Sequence, residues 1–273
     1  MANQLQGELI DANREYEQII AVWDSYPKQK NLFPYRYLRS LSNFLGSCHM
    51  LDRWEQFPVV LDQMALISPS SERLELEIFK SLHYNRLLFW MSKGKWEEAR
   101  KNVPETARLY AKFEDRLPSS RRLGFCYNLS ILFFFLESFN ESLAWVNQVI
   151  NQQKTGQRSD IQLAARVMQM VIHYELGNFD LLPFLGRSLY RLLNQRELKG
   201  QFENLVLRFL VDPRAGELFD HPERITPLLT SLEEIKAANP GNIHPGLSEL
   251  VCWLRSRVKG IPMTVVLENR LAE

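Results

Sequence analysis

Long apolar runs are missing from this chain. The longest, Ile131–Leu136, falls far short of the roughly 18–20 residues that cross a bilayer, so no membrane partner is expected. An excess of charge of either sign is missing too: 33 Lys+Arg against 32 Asp+Glu leave a formal net charge of +1. That balance argues against a nucleic-acid-binding surface, an anionic-membrane surface and an acidic disordered tail. Cysteine is scarce. The three, Cys48, Cys126 and Cys252, are an odd number spread far apart, which excludes a disulfide framework as the organising device. Met1–Gly7 is polar with no basic-then-apolar opening, so a secretory leader is not expected and a cytoplasmic location is.

Catalytic signatures are absent as well. No phosphate loop, dinucleotide fingerprint or nucleophile elbow occurs. The histidines, His49, His83, His173, His221 and His244, include no pair four residues apart and no Cys or Glu at a zinc-site spacing. Cys48-His49 is a poor dyad, because adjacent residues point to different sides of a helix; it reads as a buried thiol beside a half-exposed imidazole. The expectation is a non-enzymatic chain with no catalytic, cofactor-binding or metal-binding residues. No strand alternation of useful length appears, and the fold is expected to be all-α.

What the chain does contain is a repeat. Asp52-Arg53-Trp54-Glu55, Gly94-Lys95-Trp96-Glu97, Glu137-Ser138-Phe139-Asn140 and Gly177-Asn178-Phe179-Asp180 each join a turn-forming pair to an aromatic and then an acid or Asn. The aromatics stand 42, 43 and 40 residues apart. Apolar stripes at helical spacing lie on both sides, such as Leu129, Leu132, Phe133 and Leu136 before one aromatic and Leu143, Val146 and Ile150 after it. Pro58 and Pro183, four residues after their aromatics, fit only if a second helix has just begun, since first-turn N–H groups have no helical partner. Pro104, eight residues after Trp96, is expected to kink its helix. The units predict antiparallel helix pairs stacked into a right-handed α-solenoid.

The whole chain, 1–273, reads as one helical-repeat domain. Residues 1–33 hold an N-terminal helix with the stripe Leu5, Leu9, Ala12, Tyr16, Ile19 and Trp23. That helix looks like half of a repeat whose first part is missing, as in a fragment of a longer protein. Residues 34–196 form the core repeats. Residues 197–273 form an irregular repeat and cap: helices over Phe202–Val211 and Glu223–Ala238, Pro/Gly loops at 212–222 and 240–246, a capping helix over Leu247–Val258, and one more helix over Pro262–Leu271.

These residues resemble the tetratricopeptide family. Cys126-x-Asn128-Leu129-Ser130 followed by Phe133 and Phe139 matches its first helix and turn, and Gly94-Lys95-Trp96-Glu97-Glu98-Ala99 matches the turn closely. The usual period is about 34 residues; the longer one here is similar to long-helix variants, and a HEAT-like array remains an alternative. Val171–Leu182, Ser188-Leu189-Tyr190-Arg191 and Cys252–Gly260 resemble a family of uncharacterised bacterial tetratricopeptide-like proteins, which implies fold and context only.

The resemblance implies a concave groove. Eleven residues before each turn aromatic stand Asn43, Asn85, Asn128 and Met168; an amide there can pair with a peptide backbone or can satisfy helix ends within the stack. Tyr84 and Tyr127 precede two of the asparagines. Positions one and two turns further give Gly46, Leu88, Ile131 and Val171, then His49, Met91, Phe134 and Tyr174. Either this is an apolar groove lining or it is inter-repeat core. Ser42, Tyr84 and Tyr127 stand where a chaperone-tail clamp needs Lys, which argues against that ligand. The expected function is binding of a protein or peptide. The alternative is a structural, regulatory or oligomerisation segment whose groove is filled by its own missing part or by a second copy, as in a homodimer.

Overall fold

A computed structural model describes residues 2–152, 159–195, 201–212, 222–238 and 244–272. Among these residues there is no strand, and helices account for nearly all of them. They gather into two compact units, Met1–Leu117 and Pro118–Glu273, divided where no change of composition marks a linker.

In the first unit α1 (Ala2–Ser25) and the short α2 (Pro27–Leu32) pack on α3 (Pro34–Met50). A 3₁₀ turn at Trp54–Gln56 opens α4 (Phe57–Ala65), with Pro58 in its first turn as expected. Next come α5 (Glu72–Ile78), a π-helical turn at Phe79–His83, and α6 (Tyr84–Ser92). Ser71 caps α5 by accepting the Leu74 N–H at 3.2 Å. The unit closes with α7 (Trp96–Phe113), which carries Glu97 and Glu98 in its first turn and Lys112 in its last, as the helix dipole favours. Pro104 lies inside α7, which continues past it to Phe113.

One buried amide ties the start of this unit together. Asn13 of α1 donates to Ser47 Oγ at 2.8 Å and to Cys48 Sγ at 3.3 Å, while Arg53 donates to its Oδ1 at 2.7 Å. Both ends of the amide are thereby satisfied inside the core. Burial pushes the Cys48 thiol up from its ordinary range, so it stays protonated and inert.

In the second unit α8 (Ser119–Phe135) packs on α9 (Phe139–Asn151), and α9 on α10 (Ser159–Glu175). A 3₁₀ turn at Phe179–Leu181 leads into α11 (Leu182–Gln195), with Pro183 in its first turn. Both α10 and α11 pack against α12 (Gln201–Leu210); α13 (Pro222–Ala238), α14 (Leu247–Lys259) and α15 (Met263–Ala272) follow. The Pro/Gly loops expected at 212–222 and 240–246 lie largely outside the described residues. The expected capping helix, α14, is flanked by both α13 and α15 and buries Leu250, Trp253 and Leu254 completely. It is an interior element of its unit. Glu175 at the end of α10 fixes it there, accepting from the Trp253 indole and from Arg257 in a two-pronged pair whose carboxylate is almost wholly buried.

The four repeat motifs have the same backbone. Asp52, Gly94, Glu137 and Gly177, each two residues before its aromatic, have φ of 58°, 62°, 57° and 73°. Arg53, Lys95, Ser138 and Asn178, the next residues, have φ between −83° and −91° and ψ between 51° and 71°. Their N–H groups donate to the carbonyls of Cys48, Trp90, Phe133 and His173 at 2.8–2.9 Å. This is the Schellman ending, in which a left-handed residue turns the chain so that it caps the helix it leaves. Trp54, Trp96, Phe139 and Phe179 then begin the following helices, in each case at the expected position.

The left-handed conformation costs an L-residue about 1–2 kcal/mol, which glycine avoids. A Cβ on Gly177 would meet nothing within 4 Å, so Gly177→Ala isolates the backbone term. Chemical denaturation of that variant is expected to lose about 1–2 kcal/mol of stability; an unchanged midpoint would mean that the turn relaxes at no cost.

Candidate functional site

The expected groove positions do not share one environment. In the first unit Asn43, Gly46 and His49 are exposed and Tyr84, Leu88 and Met91 are half-buried. Asn85 is only 7% exposed, and its Nδ2 donates to the Ser81 carbonyl at 2.7 Å. It bonds back onto the π-helical turn, sharing a carbonyl that also accepts the Tyr84 N–H. Its amide is therefore not open to solvent. In the second unit Tyr127 is buried, Phe134 is 0% and Tyr174 2% exposed, and Ile131 and Val171 are core as well. Asn128 is half-buried, and its Nδ2 has no hydrogen-bond partner among the described residues.

The turn itself engages three of these positions. His49, Phe134 and Tyr174 each stand five residues before a turn aromatic and meet it edge-to-face: Trp54 at 5.1 Å, Phe139 at 5.9 Å and Phe179 at 5.3 Å between ring centroids. This is the apolar contact that accompanies a Schellman ending. These side chains staple the turns. For Asn85, Tyr127, Phe134 and Tyr174 the expectation of an open lining is corrected; Asn43 and His49 remain on the surface.

The π-helical turn also holds the most strongly perturbed histidine. His83 is buried, with Nδ1 at 2.9 Å from Thr106 Oγ1. Burial, with help from nearby Arg86, lowers its pKa from 6.5 to about 4. No group of three His, Cys, Asp or Glu among the described residues is placed to hold a metal ion.

Each unit has a surface cleft among its described residues. The first, about 390 Å³, is lined by Lys30, Pro34, Tyr37, Gln63 and Leu66 among others; Lys30 is already paired with Asp24 and lies over the Tyr37 ring. The second is larger, about 670 Å³, and runs along α11 and α12. Pro183, Leu207 and Val211 supply its apolar surface, and Arg187, Tyr190, Arg191 and Arg208 its rim, with Asn204 beside them. Gly186 sets its shape: a Cβ there would lie 2.6 Å from Val211 Cγ1 and 3.0 Å from Leu207 Cδ1, so only glycine lets the two segments approach this closely. Phe184 and Tyr190 on α11 are 65% and 55% exposed. The Arg187 guanidinium lies over the Phe184 ring at 4.5 Å.

No family model, curated protein or solved structure matches this chain.

The second cleft was not among the sequence-derived sites. Its signal was nonetheless in the chain: Pro183, Gly186, Arg187, Tyr190 and Arg191 recur at helical spacing on α11, opposite Asn204, Leu207, Arg208 and Val211 at the same spacing.

His83 makes the fold pH-sensitive. The unfolded chain protonates this ring near 6.5 and the folded one only near 4. Its contribution is therefore complete above about pH 6.5 and is lost as pH falls toward 4, by on the order of 3 kcal/mol. Thermal melts between about pH 7 and 4.5 should show a larger loss for the unmodified protein than for His83→Gln, which keeps a donor but does not titrate. Equal losses would contradict this.

Proposed function

We propose that this chain is a non-enzymatic protein- or peptide-binding module, a tetratricopeptide-like right-handed solenoid of antiparallel helix pairs. The observation that carries the binding reading is the open cleft along α11 and α12, walled by apolar side chains and flanked by exposed Phe184 and Tyr190. Its size is that of pockets that seat one or a few side chains, and exposed aromatic anchors dominate such contacts. The recurrence of one turn geometry at intervals of 42, 43 and 40 residues supports the repeat reading, since stacked helical pairs expose extended faces for partners.

A second reading has its own support. Val22, Tyr26, Leu32 and Phe33 are all exposed around the α1–α2–α3 corner, as a self-associating face would require. Sedimentation across a concentration series separates the two: a dimer abolished by Val22→Asp with Leu32→Asp favours the second reading.

Peptide display against the folded chain tests the first. Peptides with a common pattern should be enriched and bind saturably, with affinities around the micromolar range, and Phe184→Ala with Tyr190→Ala should weaken them without lowering the melting temperature. Failure to enrich any peptide above scrambled controls would overturn the reading.

A further inference from the structure

Among the described residues, every charged side chain lining the α11–α12 cleft is an arginine. Arg187 and Arg191 are one turn apart on α11 and so project on the same side, and Arg208 comes from α12. No Asp or Glu occurs in α11, and the one in α12, Glu203, is buried, with burial pushing its carboxyl up toward the neutral form. Three guanidinium groups thus line an apolar opening, with no Asp or Glu among its described lining residues. A partner bringing carboxylates would give these arginines the planar, two-oxygen acceptor that their forks fit.

We propose that this cleft docks an acidic segment of a partner protein, with a large aliphatic or aromatic side chain seated on Pro183, Leu207 and Val211 and flanking Asp or Glu side chains on Arg187, Arg191 and Arg208. The proposal rests on the binding-module reading and adds the chemistry of the partner. The aliphatic surface of Pro183, Leu207 and Val211 suits an apolar side chain, and the chain's net charge of only +1 favours a peptide over nucleic acid. Arg187, held over the Phe184 ring, is already oriented, so less side-chain freedom is lost on binding.

The test uses the full chain and a fluorescein-labelled synthetic peptide of Glu with interspersed Leu and Phe, with two counterparts: Lys replacing Glu, and Ser replacing Leu and Phe. Anisotropy titrations should give saturable binding of the acidic apolar peptide, weaker binding of the Ser counterpart and none of the Lys counterpart. Affinity should fall as salt is raised, since the contacts are at the surface. Arg187→Glu with Arg191→Glu should weaken the acidic peptide by at least about tenfold and create binding of the Lys counterpart. That gain is something a merely misfolded variant would not produce. Arg191→Gln and Arg208→Gln, milder changes at exposed positions, should each weaken the acidic peptide while leaving the melting temperature unchanged. Equal binding of acidic and Lys peptides, or full affinity after charge reversal, would overturn the proposal. So would arginine-dependent binding of single-stranded RNA or phosphatidylserine vesicles without binding of the acidic peptide. If display enriches peptides that are neutral or basic, this proposal falls and the binding module stands; if it enriches none, both fall.

Discussion

The constraint on which both units depend is how a helix is stopped and the next one started within three residues. At all four motifs the backbone enters the left-handed region, returns at the next residue, and closes a hydrogen bond to the helix it has just left. None of the residues preceding the turn aromatics makes a side-chain cap to the helix that follows. The geometry is therefore held by main-chain bonds and by the ring contact that packs across three of the turns. This explains how Asp, Gly, Glu and Gly serve at equivalent positions. The two acids recover part of the conformational cost through side-chain bonds, one local and one distant in sequence: Asp52 accepts from the Trp54 indole, and Glu137 Oε1 accepts the Met263 N–H at 3.1 Å at the start of α15.

Much of this was legible in the residues. The aromatics mark helix starts because each ring packs beside the helix end it follows, Trp54 and Trp96 buried and Phe179 still 39% exposed, and Pro58 and Pro183 locate the first turns independently. The helices of the last third, α12 to α15, lie close to their expected bounds for the same reason: apolar spacing ended by Gly or Pro. The left-handed conformation of Asp52 and Glu137 was not legible, because neither residue type announces it. Nor was the π-helical turn, since the added residue at Phe79–His83 leaves the composition of the helix unchanged.

The groove positions were harder still. Counting a fixed number of residues back from an aromatic assumes that every first helix shows the same face to solvent. α8 buries residues around its whole circumference, from Phe125 and Cys126 through Ile131 and Leu132 to Phe134 and Phe135, so the columns that are open in α3 close in α8 and α10. Five residues before the turn aromatic is also the position that packs on that aromatic. The three asparagines consequently have three different environments: Asn43 exposed, Asn85 bonded within its own helix, and Asn128 half-buried. The cleft that replaces them depends on the close approach of α11 to Val211 and α12, which Gly186 permits. A lone glycine inside a helical stripe carries that information only once its neighbour is known.

The central claim, that one main-chain turn recurs four times and sets the repeat, is tested most directly by amide hydrogen exchange at Arg53, Lys95, Ser138 and Asn178. Each of these N–H groups is bonded to a carbonyl five residues back, although each lies outside the helix it caps. The account predicts that all four exchange slowly, in the class of interior helical amides, while their exposed neighbours exchange fast. Rapid exchange at two or more of the four would contradict it.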